Sequence, residues 1–294
     1  MELKTFEELI NVSGKTGQKI FEIAQDIEAK NSEITVLGVR AKAEKNLKVM
    51  KEAIKRGVTS KELSSSALSG NDCEKLKNKY KNGQLIYPHH LQNIILYALA
   101  TAEENARMGK IAACPTAGSC GIVPAVLISI SEYLQSGEEK EIDALITAGY
   151  VGKIISQKIA LAGAVMGCQG ECGVASAMAA AAAVTLMNGS TEQTINAASL
   201  ALKNIMGLVC DPVAGLVEVP CVKRNPFLAM HALTAAEMGL SDIKSIIPID
   251  EIIDAVKQVG NLMSSSLKES SQAGLASTKT ALTISENLKD KYDF

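Results

Sequence analysis

Between Ile159 and Leu202 the chain carries only two charged residues, Glu171 and Glu192, and alanine dominates the run from Val174 to Met187. No other feature restricts the fold so strongly. Ala175, Ala177 and Ala179 through Ala183 each bury little area, but side chains this small let neighbouring helix backbones come close. The expectation is a buried helix that forms a rigid floor beneath the adjoining loops. The run is too short to span a bilayer, and Gly167-Cys168-Gln169-Gly170-Glu171 breaks the low-charge interval ahead of it. A helix inside a soluble protein, with no membrane partner, is therefore expected.

The rest of the chain is helical in pattern. Thr5-Phe6-Glu7-Glu8 fits a capping box, with apolar residues at helical spacing after it. A second helix is expected from Ser32 to about Lys55, with Gly57 as its terminator. Ser64 to Asp72 reads as a polar turn, and Pro88 to Gly109 as helix with a stripe through Leu91, Ile94, Ile95, Ala98, Leu99 and Ala102. Pro124 is tolerable only in a first turn, so a helix must begin near Ile122. Further helices are expected over Glu138 to Val165, Thr191 to Met206, and from Pro226 onward. Cys210 to Arg224 reads as irregular, with Leu216-Val217-Glu218-Val219 a short extended piece at most. No alternation of strands and helices appears. The expected fold is all-α, a single helical catalytic domain over residues 1–294 with its functional loops within 110–226.

Composition narrows the function. Thirty basic residues against 32 acidic leave a formal charge of −2, which supplies no field for steering nucleic acid. Aromatic residues are 3% of the chain and tryptophan is absent, so base-stacking platforms are not expected. Met1 to Ile10 alternates charged and apolar residues instead of forming the apolar run of a signal peptide. A cytoplasmic location is expected, where thiols stay reduced.

Six of the seven cysteines lie between Cys114 and Cys221, and 13 of the 22 glycines lie between Gly109 and Gly215. One third of the chain thus combines thiols with close backbone approach. Three residues separate Cys168 from Cys172, and ten separate Cys210 from Cys221. Zinc ribbons prefer short pairs on both sides, and ferredoxins cluster their cysteines tightly. The spacing supports a loop-borne metal or cluster site without naming the metal. Flanking glycines, apolar surroundings and only three histidines (His89, His90 and His231) favour an iron–sulfur cluster over zinc. Buried structural thiols are the competing explanation.

Three segments carry a recognisable pattern. They are Ala113-Cys114-Pro115-Thr116-Ala117-Gly118-Ser119-Cys120-Gly121, Gly167-Cys168-Gln169-Gly170-Glu171-Cys172-Gly173, and Cys210-Asp211-Pro212-Val213-Ala214-Gly215 continuing through Val219-Pro220-Cys221 to Arg224-Asn225. In this order they resemble the iron–sulfur-dependent L-serine dehydratases, and the chain looks like the α subunit of the two-chain bacterial form. The resemblance extends from about Ser64 to the segment Ser271 to Ala276.

The resemblance implies conversion of L-serine to pyruvate and ammonia, in amino acid degradation and gluconeogenesis, with a [4Fe–4S] cluster and no pyridoxal phosphate. By motif position its ligands are Cys168, Cys210 and Cys221, with Cys172 beside the cluster and Cys114 and Cys120 in the substrate loop. Three protein ligands would leave an iron open as a Lewis acid toward the serine hydroxyl. Thr116, Ser119 and the N–H groups near Gly121 are the first candidates for the substrate carboxylate, followed by Asn225, Ser64 and Ser65. The general base is not assigned. A separate β subunit is expected, as a source of a histidine for the site. The chain closes on Lys289 to Phe294 without a cysteine, so greater oxygen sensitivity is expected than in relatives whose cysteine tail caps the open iron. An L-cysteine desulfidase and a non-catalytic electron-transfer protein are the alternatives.

Overall fold

The structure is a computed structural model that describes residues 2–83 and 86–292; the tail residues Asp293 and Phe294 lie outside the described residues. Among the described residues the chain is all-α. Its first helices are α1 (Phe6–Thr16), α2 (Ile20–Asn31), α3 (Val36–Thr59), α4 (Asp72–Lys81), α5 (His89–Ala106), α6 (Ile122–Leu134) and α7 (Glu138–Ser156). There follow α8 (Gly163–Met166), α9 (Val174–Leu186), α10 (Thr191–Lys203), α11 (Cys221–Leu240), α12 (Ile249–Leu262) and α13 (Lys279–Tyr292). Two isolated bridges, Leu63 with Gly70 and Cys210 with Lys268, are the only extended pairings among the described residues. None of the described helices is long and apolar enough to cross a membrane.

The alanine run forms α9, and every residue of that helix except Thr185 is buried. Helices α6, α7, α10 and α11 pack around it. A buried methyl contributes only about 0.8 kcal/mol, so α9 is held mainly by dense contact between backbones. Around this centre, α5 joins α3, α6 and α11, while α2 lies on α7.

Local chemistry fixes the ends. The Thr5 hydroxyl accepts the Glu8 N–H at 3.1 Å and the Glu8 carboxylate accepts the Thr5 N–H at 3.3 Å, which completes the expected capping box. Ser190 and Gln193 form a second box at the start of α10. Pro124 sits in the first turn of α6, as its missing N–H requires.

Several boundaries depart from the sequence reading. Helix α3 starts after Thr35, whose hydroxyl accepts the Gly38 N–H at 3.1 Å, and Gly57 lies inside it instead of ending it. A Cβ there would come within 2.1 Å of the Ala100 carbonyl oxygen, so this glycine marks a helix contact. Helix α4 was not anticipated; its apolar stripe is short and thin, Cys73, Leu76 and Tyr80, of which only Cys73 is fully buried. Helix α7 ends at Ser156, well short of Val165, and the separate turn α8 follows. The stretch expected to be irregular up to Arg224 already enters α11 at Cys221, where Val222 N–H bonds Glu218 O at 2.9 Å and Arg224 N–H bonds Pro220 O at 3.1 Å. Pro226 lies within that helix. Val217 to Pro220 are a turn, not an extended piece.

Candidate functional site

The loop before α9 is a π-helical turn, Gln169–Gly173, that runs directly into the alanine helix. Such turns widen the helix by one residue and recur at functional sites. Here the turn carries Glu171 and Cys172, and Cys168 immediately precedes it. The Cys168 sulfur, a Glu171 carboxylate oxygen and the Cys210 sulfur all lie within 4.8 Å of one another. Cys210 reaches this point because residue 163 is glycine: a Cβ there would stand 2.7 Å from the Cys210 sulfur.

The electrostatics are uneven across the thiols. Cys168 is driven down to about 3, first by hydrogen bonds from the Cys172 and Cys210 thiols and then by the charge of Arg224, against the cost of burial. Of these thiols it is the most readily deprotonated. The same contacts push Cys172 and Cys210 upward. Cys221 opens α11 outside the 4.8 Å group; burial raises it to about 12, and the Cys168 charge adds to that. Burial lifts Glu171 to about 7, the Thr116 hydroxyl bond opposes the rise, and the Cys168 thiolate reinforces it. The Cys168 sulfur and the Glu171 Oε2 are 3.9 Å apart.

Thr116 and Ser119 are drawn to the same place. The Thr116 hydroxyl donates to Glu171 Oε1 and lies 3.2 Å from the Ser119 hydroxyl. Asn225 shapes this loop from behind. Its amide donates to Gly118 O at 2.8 Å and Cys221 O at 3.0 Å, and its carbonyl accepts the Gly121 N–H at 2.9 Å. Both ends of the Asn225 side chain are thus committed to the loop and to the Cys221 turn.

Ser64 lies in a different constellation. Its hydroxyl donates to Glu218 Oε2 at 2.6 Å, joined there by Ser69 at 2.5 Å, while Ser66 donates to Oε1 at 2.8 Å. The polar turn expected here is therefore also a cradle, in which Ser64, Ser66 and Ser69 hold a nearly buried carboxylate. Ser65 is on its exposed side. His231 Nε2 is 2.9 Å from Ala201 O, and His90 stacks on Tyr133, so neither ring is engaged with the thiols.

A strap from the far end of the chain closes over Cys210. Cys210 N–H donates to Leu267 O at 2.9 Å, Glu269 N–H donates to Cys210 O at 2.7 Å, and the Ser271 hydroxyl donates to Pro212 O at 2.7 Å. A groove of about 850 Å³ between α1, α10 and the 242–251 segment contains none of these residues.

Glu171 is the member of this group that sequence reading did not single out. It was visible between Cys168 and Cys172, but only the π turn shows that its carboxylate shares their space. The donor set suits an iron–sulfur cluster: Cys168 and Cys210 are each at most 2% exposed and Cys221 is 7% exposed. Soft thiolates in a dry setting select such groups.

Residues 15–276 match the serine dehydratase alpha chain family. The chain is 37% identical over 282 residues to the L-serine dehydratase alpha chain of Peptoniphilus asaccharolyticus, covering 96% of this chain and 97% of that one. It is 42% identical over 266 residues to a Bacillus subtilis chain named "Probable L-serine dehydratase, alpha chain", covering 90% and 88%. With the L-serine dehydratase of Streptomyces coelicolor it shares 36% identity over 236 residues, which is 78% of this chain and 51% of that one. Thiols, carboxylate and hydroxyls gathered on the family's own segments agree with this likeness, and the chain belongs to the serine dehydratase alpha chain family.

Proposed function

We propose that the chain is the α subunit of an L-serine dehydratase, a lyase that converts L-serine to pyruvate and ammonia. The observation that carries this reading is the convergence of Cys168, Cys210 and Glu171 beside Thr116, in a family whose members are named for this activity.

Cys168, Cys210 and Cys221 are the residues that would hold a [4Fe–4S] cluster. When bound by three thiolates, such a cluster supplies a Lewis-acidic iron for the substrate β-hydroxyl. The protein's own groups do the rest. Thr116 and Ser119 receive the substrate carboxylate on the loop that leads into α6; the Gly121 N–H, expected to join them, is committed to the Asn225 carbonyl at 2.9 Å. Asn225 holds that loop in register with Cys221. Glu171, poised near neutral pH, holds or releases a proton at its carboxylate. The alanine floor excludes water beneath them.

The 294 residues act as one catalytic domain, a reading supported by a core that runs from Leu3 to Val256. A β subunit completes the enzyme. The relatives' naming as α chains supports this, as does the Streptomyces coelicolor relative, about half of which lies outside the match. The reducing conditions that thiolates need support a cytoplasmic setting.

The test is anaerobic reconstitution with iron and sulfide, with the β chain present, followed by pyruvate release from L-serine and from L-cysteine. Turnover of serine above cysteine is expected, along with a spectral change of the cluster on adding serine. A preference for cysteine would make the protein a desulfidase. A reversible redox centre blind to both amino acids would make it an electron carrier.

A further inference from the structure

One side chain touches the surroundings of all three candidate ligands. Arg224 donates through one terminal nitrogen to the Cys168 sulfur at 3.3 Å and to Val209 O at 3.0 Å, and through the other to Asp211 Oδ1 at 2.8 Å. Val209 and Asp211 are the two neighbours of Cys210, and Arg224 stands one helical turn beyond Cys221. The guanidinium is mostly buried, and Asp211 is 4% exposed. Asp211 is fixed in turn: its Oδ2 accepts the Leu275 N–H at 2.8 Å. Gly274, at a φ of +65, is pressed so close that a Cβ would come within 2.6 Å of that oxygen.

We infer that Arg224 is the positioning residue of the thiol site: it sets the spacing of Cys168 and Cys210 before a cluster arrives and offsets part of the thiolate charge once it has. The inference rests on the cluster reading above and deepens it. The planar fork spreads its donors over two nitrogens, one facing the sulfur and the carbonyl and the other the carboxylate, a rigid span that lysine's single ammonium does not reproduce. Charge and geometry therefore separate in the variants.

The full chain is reconstituted anaerobically as wild type, Arg224→Gln, Arg224→Lys and Asp211→Asn. Retention of iron and sulfide is measured against a competing iron chelator, and the midpoint potential is measured by dye-mediated titration. Removing an outer partner of a metal site typically weakens binding about 10–100-fold. A loss in that range is expected for all three variants. Arg224→Gln, having lost a positive charge near the cluster, is also expected to shift to a more negative potential, and Arg224→Lys to return toward the wild-type potential while its retention stays weak. Far-ultraviolet circular dichroism identifies any variant that fails to fold, in which case the other two carry the test. Wild-type retention and potential in Arg224→Gln would overturn the inference, and full retention in Arg224→Lys would overturn the requirement for the fork. A wild-type chain that binds no cluster would instead overturn the reading on which the inference rests.

Discussion

Gly57 of α3 lies directly against the backbone of Ala100 on α5, where a Cβ would stand 2.1 Å from the Ala100 oxygen and 2.9 Å from its Cα. Two helices therefore meet backbone to backbone. Gly57→Ala gains roughly 0.5–1 kcal/mol in helix preference but forces apart a contact with no flexible side chain to yield. Overpacking of this kind costs about 1–3 kcal/mol, sometimes more, so the steric effect wins. A net loss of about 2 kcal/mol is expected in urea unfolding, and a neutral or stabilised variant would disprove the contact.

Asn225 offers a test of the loop that carries Thr116 and Ser119. Asn225→Asp keeps the shape but replaces the amide donor with an oxygen facing Gly118 O and Cys221 O. Each buried group left without a partner costs about 1–3 kcal/mol. Displacement of the loop by even an ångström is expected to lower kcat by about 100-fold. Steady-state kinetics on the reconstituted enzyme, beside a thermal melt, measure both effects; unchanged values for both would show that the clamp is dispensable.

The cradle around Glu218 joins residues that are 149 to 154 apart in sequence. Hydrogen bonds to a charged group contribute about 1.5–3 kcal/mol. Ser69→Ala should lose an amount in this range. In a double-mutant cycle with Glu218→Gln, the loss from Ser69→Ala should shrink by about 1 kcal/mol or more. Strict additivity would mean that hydroxyl and carboxylate do not interact.

Cys73 governs part of the alkaline limit. Burial, with help from Glu103, raises its thiol from an ordinary 9.0 to about 12. Because the folded value is the higher one, the thiol's contribution to stability is complete below pH 9 and is lost as pH rises toward 12. Linkage sets the loss at about 1.4 kcal/mol per pH unit. Cys73→Ala costs about 1–2 kcal/mol at pH 7 through its cavity, yet its stability should decline less steeply above pH 9. Parallel slopes in urea titrations from pH 8 to 11 would refute this.

Sequence gave access to what depends on neighbours along the chain. The alanine run announced α9, Pro124 announced the start of α6, and Thr5 with Glu8 announced α1. The grouping of cysteines and glycines pointed to the third of the chain in which Cys168, Glu171 and Cys210 converge. What stayed hidden was set by tertiary approach. Arg224 meets Cys168 across 56 residues, and Ser64 meets Glu218 across 154; no local period encodes either pair. Gly57 looked like a helix end because a glycine needed for contact and one needed for a turn are the same letter. Helix α4 offered only the three-residue stripe Cys73, Leu76 and Tyr80 among lysines and asparagines, too thin to stand out from a polar segment.

The strap over Cys210 has a consequence for synthesis. Leu267, Glu269 and Leu275 fasten Cys210 and Asp211, yet they leave the ribosome more than fifty residues after those positions are made. A nascent chain can fold its alanine centre early, but the Cys210 turn is fastened only once residues 267–275 have emerged. Any group that Cys168, Cys210 and Cys221 would hold therefore gains its finished seat late, and a chain stalled before Leu267 would lack it.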